Sequence, residues 1–310
     1  DIKFNRENFI DIIKLEIKKN LCSDVKNSLM LSSGIDSLFI YKQIQDTVST
    51  FTLSSEEYRN KEVDEIKNLS DLGIDVTKSK YLEKGYSYDH LLNKNFSSRL
   101  SLDGPQYYLL SQLISQNNIK VALSGIGGDE MLNSYPSFKY IPILLRLNNF
   151  FLFLKKFKTK NYRFEKFLRI IQYQNISDVY LEFRSSFSDK EITKILKNFK
   201  SVDSYRNIII EDFKNKTSGI KKIRNKIKSL ELNIYLRDQV LKEVDYFSML
   251  NSVETRVPFL SKKVLFYSSL PDAQNTISKK LLINDLNFFK NKKYKKIPFL
   301  IEDLIMKNYK

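Results

Sequence analysis

Ser28-Leu29-Met30-Leu31-Ser32-Ser33-Gly34-Ile35-Asp36-Ser37 is the stretch on which the fold turns. Its first four residues read as a short buried strand, Ser32 to Gly34 as a tight loop of small side chains, and a helix is predicted from about Asp36, with Leu38, Ile40, Tyr41 and Ile44 at helical spacing. Strand, small-residue loop and helix in that order make half of a parallel βαβ unit. Upstream, Phe9, Ile10, Ile13, Ile17 and Leu21 predict a helix over 7–20. Downstream, Val48 to Leu53 reads as a strand, Glu56 to Leu72 as a helix ending at Gly73, and Ile74 to Thr77 as a third short strand.

The same alternation returns once more. Pro105 opens a helix through Ile114, and Ile119 to Leu123 is an apolar strand that runs into Ser124-Gly125-Ile126-Gly127-Gly128-Asp129-Glu130. Two strands therefore end in small-residue loops, and each loop carries an Asp. Beyond Tyr140 strand signals fade and long helical patterns fill the chain to Lys310. Ile141 to Phe157 is unusually apolar, but Arg146, Asn148 and Asn149 interrupt it, so a core or partner-facing helix is expected before a membrane-surface one. No repeat or linker separates the halves. The expectation is an α/β protein of one domain, 1–310, with a parallel-sheet core over 1–140 and a mainly helical extension over 141–310.

Composition narrows the chemistry. Of 310 residues 42% are apolar, with 22 Phe and 18 Tyr, which excludes a disordered chain. Cys22 and His90 are the single cysteine and histidine, excluding a disulfide framework, a Cys/His zinc site and any Ser-His or Cys-His pair that does not use these two. Both are read as structural, Cys22 packed beneath the first strand and His90 near a loop. The net charge of +16 is spread along the chain, with runs only at Lys155 to Lys160 and Lys290 to Lys296, so nucleic acid is not the expected partner. No stretch of eighteen apolar residues occurs and Asp1-Ile2-Lys3-Phe4 is unlike a signal peptide, so no transmembrane segment and a cytoplasmic location are expected.

In an open parallel sheet, ligands bind beyond the carboxyl ends of the strands. Backbone amides of Ser32 to Ser37, backed by a helix N-terminus, suit phosphate oxygens. Asp36 and Asp129 would face the same polyphosphate, where carboxylates are tolerable only with Mg²⁺ between them.

Leu31-Ser32-Ser33-Gly34-Ile35-Asp36-Ser37 resembles the pyrophosphate loop S-G-G-x-D-S of the N-type ATP pyrophosphatases, with Ser33 in place of the first Gly. Leu123-Ser124-Gly125-Ile126-Gly127-Gly128-Asp129-Glu130 with Tyr135-Pro136 resembles the asparagine synthetase pattern L-S-G-x-G-x-D-E followed by Y-P. Lys242 to Met249, and Ser252-Val253-Glu254-Thr255-Arg256-Val257-Pro258-Phe259-Leu260, are similar to that family's V-D-R-x-S-M and S-x-E-x-R-V-P-F-L. Three motifs in order, from about Phe9 to Leu286, identify the chain as resembling the synthetase domain of asparagine synthetases, an adenine-nucleotide alpha-hydrolase-like core.

The resemblance implies an ATP-dependent ligase that adenylates a carboxylate, releases pyrophosphate and passes the acyl group to ammonia or an amine, with aspartate to asparagine the leading reaction. It implies that Leu31, Ser32, Ser33, Gly34, Asp36, Ser37, Ser124 and Gly125 hold ATP and pyrophosphate. It further implies that Asp36 and Asp129 hold Mg²⁺, that Glu254 stands near the acyl carbon, and that Lys279 offsets phosphoryl charge. Ile126 stands where the family usually has Glu, and Ile283 where an Arg follows Lys279. The family's glutaminase domain is not represented in this sequence, so either the chain is a fragment of a longer protein or nitrogen is expected as ammonia, as an amine on the substrate, or from a separate glutaminase. Rival readings are a glycan sugar acid or peptide carboxylate as acceptor, a tRNA-modifying pyrophosphatase, and a catalytically silent partner subunit.

Overall fold

Apolar residues at helical spacing, an Asn at the head and lysines at the foot explain the first element. In α1 (Arg6–Asn20) Phe9, Ile13 and Ile17 are fully buried, the Asn5 side chain accepts from the Asn8 amide at 3.1 Å, and Lys18 and Lys19 sit at the negative end of the helix dipole. The computed structural model describes residues 3–44, 47–55, 78–82, 104–151, 154, 161–195 and 202–286.

Four further elements follow: β1 (Asn27–Met30), α2 (Ile35–Ile44), β2 (Ser49–Ser55) and β3 (Lys78–Leu82). Next come α3 (Gly104–Gln116), β4 (Val121–Leu123), α4 (Gly128–Met131), α5 (Pro136–Phe151), α6 (Tyr162–Ile170), α7 (Ile176–Arg184), α8 (Asp189–Ile195), α9 (Val202–Thr217) and α10 (Ile223–Leu230). After a π-helical stretch, Glu231–Val240, the chain closes with α11 (Leu241–Met249), β5 (Glu254–Arg256), a 3₁₀ turn Pro258–Leu260, α12 (Lys262–Ser268), α13 (Ala273–Thr276) and α14 (Lys280–Leu286). The predicted helix over 56–72, the predicted strand over 74–77, His90 and both lysine runs lie outside the described residues.

The chain forms two units, 1–132 with 237–310, and 133–236. The first is α/β. Its five strands are all parallel, in the order β3-β2-β1-β4-β5. Continuous burial along Ser28–Met30 and Val121–Leu123 is what a parallel strand covered on both faces requires. From β1 the chain steps outward to β2 and β3, then returns on the other side of β1 to place β4. The order therefore reverses between β1 and β4, and the loops after those two strands open side by side at the switch point.

The fifth strand corrects the expectation that strands end before Tyr140. Three residues with two charged side chains carry no strand signal of their own. The strand forms because Asn251 donates to the Tyr108 carbonyl and to Ser111 Oγ, both at 2.9 Å, and Ser252 takes a positive φ of 55°, turning the chain out of α11 onto the edge of β4. Close packing of α11 on α3 requires Gly104. A Cβ there would lie 2.1 Å from Cε2 of Phe247, itself buried. A second correction concerns Cys22, which is exposed in the turn after α1 and not packed beneath β1.

The second unit is helical among its described residues. Phe138, Ile141, Val179, Tyr180, Phe213, Ile227 and Leu230 form its core. A polar network runs through that core. Glu231, fully buried, accepts from the hydroxyls of Ser137 and Tyr180 and pairs with Arg184, whose guanidinium lies 4.5 and 3.9 Å from the ring centroids of Tyr135 and Tyr235. Burial and the neighbouring Glu231 push the Tyr180 phenol well above its ordinary range.

Candidate functional site

The loop after β1 is tied together by one hydroxyl. Ser37 Oγ accepts from the Ser32 amide at 3.1 Å and stands 2.8 and 2.9 Å from the carbonyls of Ser32 and Gly34, while Ser32 Oγ lies 2.9 Å from it and accepts from the Gly34 amide at 3.2 Å. Small side chains are needed because the loop folds back on the first turn of α2. Ser32 remains exposed; Ser33 and Gly34 are half-buried.

The loop after β4 is built to lie against that turn. Ser124 extends the β4–β5 ladder, its amide donating to the Arg256 carbonyl at 2.8 Å. A Cβ on Gly125 would stand 2.9 Å from the Ser37 nitrogen, and one on Gly128 would stand 2.5 Å from Asp36 Cγ. Gly127 has φ 90°, a left-handed conformation that disfavours other residues, and a Cβ there would also strike Leu260 at 2.4 Å. These glycines let the second loop close over Asp36.

The result is a three-membered cluster. Lys279 Nζ lies 2.6 Å from Asp36 Oδ2 and 2.7 Å from Asp129 Oδ1, with side-chain exposures of 21%, 12% and 20%. Burial pulls the Lys279 pKa down, but the two carboxylates outweigh it and hold the ammonium above the ordinary lysine range. Positions 243 and 150 residues apart from Lys279 are thus joined by the fold.

The site also passes a test for a divalent cation. Two carboxylates from different loops converge on one positive centre, and Mg²⁺ takes one or two carboxylates with phosphate and water oxygens completing its shell. No group of three or more His, Cys, Asp or Glu suited to a metal occurs among the described residues, so the remaining ligands would come from nucleotide and water.

Glu254 stands apart from this cluster. It pairs with Val121 at the amino end of β4, its amide donating to the Lys120 carbonyl at 2.8 Å, and its side chain is 59% exposed. Arg256 Nε donates to it at 2.9 Å, and Arg256 Nη1 donates to the carbonyls of Asn20 and Cys22, both at 2.8 Å. Because β5 runs parallel to β4, Glu254 enters the sheet at the end opposite the two loops. Its carboxylate faces Arg256 on the same strand.

Sequence reasoning missed the contact of Gly128 with Asp36 and that of Gly127 with Leu260, since both depend on which loops the sheet order brings together. A groove of about 610 Å³ in the second unit, lined in part by Asn175, Ser177, Lys214 and Lys226, includes none of these loop residues. The chemistry is assigned to the loops because charged groups converge there.

A parallel sheet whose switch point carries two small-residue loops with converging carboxylates defines an α/β protein of the ATP pyrophosphatase type. The model of the asparagine synthase family matches residues 11–282, and the chain belongs to that family. It is 27% identical over 287 residues to asparagine synthetase [glutamine-hydrolyzing] 1 of Bacillus subtilis (strain 168), covering 86% of this chain. The chain spans 44% of that relative's length. Among solved structures, the U34-tRNA thiolase NcsA from Methanococcus maripaludis with its [4Fe-4S] cluster aligns over 92% of this chain and 89% of its own, at 16% identity and a TM-score of 0.29, a likeness too slight to bear on function.

Proposed function

We propose that the chain is the synthetase portion of an ATP-dependent amide-forming ligase, with aspartate as the leading carboxylate and asparagine as the product. The observation that carries this reading is the meeting of Asp36, Asp129 and Lys279 at the mouths of the two switch-point loops. Family membership and a relative named as an asparagine synthetase support it.

In the proposed reaction a substrate carboxylate oxygen bonds to the α-phosphorus of ATP as the bond to pyrophosphate breaks. Ammonia or an amine then bonds to the acyl carbon, AMP leaves with its oxygen, and the nitrogen loses a proton. Ser32, Ser33, Gly34 and Ser37, with Ser124 and Gly125, form the walls that hold the phosphates. Lys279 keeps its proton and offsets charge growing on the phosphate oxygens, an effect that is large because the group is fixed in place and mostly shielded from water. Mg²⁺ held by Asp36 and Asp129 would supply charge neutralisation at the polyphosphate. Glu254, the carboxylate that the resemblance sets near the acyl carbon, takes the proton from the attacking nitrogen, with Arg256 as its ion-pair partner. The name of the Bacillus relative makes glutamine-derived ammonia one candidate nitrogen source, beside free ammonia, a substrate amine or a separate glutaminase.

The test is pyrophosphate release against aspartate, sugar acids and peptide carboxylates, with ammonium and then with glutamine. Carboxylate-dependent release that Asp129→Asn abolishes, with circular dichroism unchanged, supports the reading. Near-normal release by that variant would remove Asp129 from the site.

A further inference from the structure

The second unit holds a concavity that the proposed chemistry does not use. Helix α9 ends where the Thr217 hydroxyl donates back to the Phe213 carbonyl at 2.9 Å, and Gly219, at φ 72°, starts the chain toward α10. This turn stands away from its neighbours: a Cβ on Gly219 would meet no atom within 4 Å. Between the turn, the start of α7 and Leu145 of α5 lies the groove of about 610 Å³, a volume in the range of small-molecule sites. All of its lining residues belong to 133–236.

The lining sets the kind of occupant. Leu145 and Ile176, half-buried against the core of the unit, and Ile223, 42% exposed, give the groove an aliphatic wall. No aromatic ring lines it, so a nucleobase finds nothing to stack on. No lining residue is Asp or Glu, whereas Lys214 and Lys226 are cations.

Three further observations fix the sign of the charge that the groove would accept. Lys226, half-buried, has no hydrogen bond or ion pair with a described residue, and Lys214 has Glu211 at 3.8 Å, where both side chains are mostly in water. Helix α10 starts at Lys222 without a side-chain cap and with no acid in its first turn, while Lys221, Lys222 and Arg224 stand exposed there. Cations at the positive end of a helix are unfavourable, and an anion beside them relieves both charges. Ser177 is 2% exposed and lines the groove, yet its hydroxyl has no hydrogen bond to a described residue, which leaves it to a ligand. The nearby acids are engaged elsewhere: Asp178 pairs with Arg206 at 3.1 Å, and Asp212 with Lys216.

We infer that this groove binds an aliphatic organic anion, its phosphate or carboxylate head among Lys214, Lys226 and Ser177 and its hydrocarbon body along Leu145, Ile176 and Ile223.

The experiment is isothermal titration calorimetry of the full chain with hexyl phosphate and with hexanoate, which share a body and differ in head. Hexanol and inorganic phosphate, each carrying one part alone, are the controls. At least one of the two organic anions is expected to bind about tenfold more tightly than either control. The charge variant Lys214→Gln/Lys226→Gln should weaken that binding at least about tenfold, with circular dichroism like the parent's. Ile223→Ser changes an exposed side chain and should weaken it about fivefold, which keeps the test open if the charge variant disturbs the fold. Asp129→Asn alters the proposed ATP site and should bind as the parent does, so the outcome is independent of the ligase reading. No binding by either organic anion, binding no tighter than that of the controls, binding unchanged in the folded groove variants, or binding lost with Asp129→Asn overturns the inference.

Discussion

Replacing Lys279 by Met removes the ammonium that stands 2.6 and 2.7 Å from two carboxylates on separate loops and leaves those carboxylates facing each other. Removing one partner of a buried charge cluster costs about 3–5 kcal/mol. With exposures of 12 to 21% the three side chains are mostly but not fully withdrawn from water, so about 2–4 kcal/mol is the expected loss. For a chain of this size that corresponds to a fall in melting temperature of about 3–6 °C. The loss should be specific in two ways. Mg²⁺ should raise the melting temperature of Lys279→Met more than that of the parent, because the ion then meets two carboxylates with no ammonium competing. Adding Asp129→Asn to Lys279→Met should recover part of the lost stability, since one of the facing charges is gone. A thermal melt of the four chains, with and without Mg²⁺, completes the double-mutant cycle. If Lys279→Met melts within about a degree of the parent, or the two substitutions simply add, the cluster contributes no coupling and the placement of the site is refuted.

Two further expectations concern the framework. Gly104→Ala places a Cβ against the Phe247 ring and should destabilise the first unit by about 1–3 kcal/mol, read by urea unfolding; the truncation Phe247→Leu in the same background should relieve part of this. Burial of Lys228 pushes its pKa down to about 7, below its unfolded value, so between about pH 7 and 10 the unfolded chain binds more protons and stability should rise with pH. The contribution is about 1.4 kcal/mol per pH unit, and Lys228→Met should flatten the rise by that amount; identical pH profiles for the two chains would contradict the neutral buried lysine.

Much of the site was legible in the order of residue types. Apolar strand, small-residue loop and helix appear twice, after Met30 and after Leu123, and each loop carries its Asp, so a parallel α/β core with two Asp-bearing loops at its strand ends follows from local patterns alone. These features are legible because they are short-range: a parallel strand must be apolar throughout, and a tight loop at a helix start must be built of small residues. Lys279 entered only through resemblance to a family motif, since one lysine among many in a basic chain carries no signal of its own.

What only the tertiary structure decided is which distant segments meet. The strand order β3-β2-β1-β4-β5 places the loop after β1 beside the loop after β4, and no local pattern specifies strand order. That adjacency sets Gly128 against Asp36 and brings Lys279 between Asp36 and Asp129. The same topology adds β5 from three residues with little strand character, held by the Asn251 turn and the ladder to β4, and in doing so carries Glu254 to the sheet end away from the loops. The residues of the site are chosen by local chemistry that a sequence displays; their distances are set by sheet order and helix packing, which depend on burial summed over the whole chain.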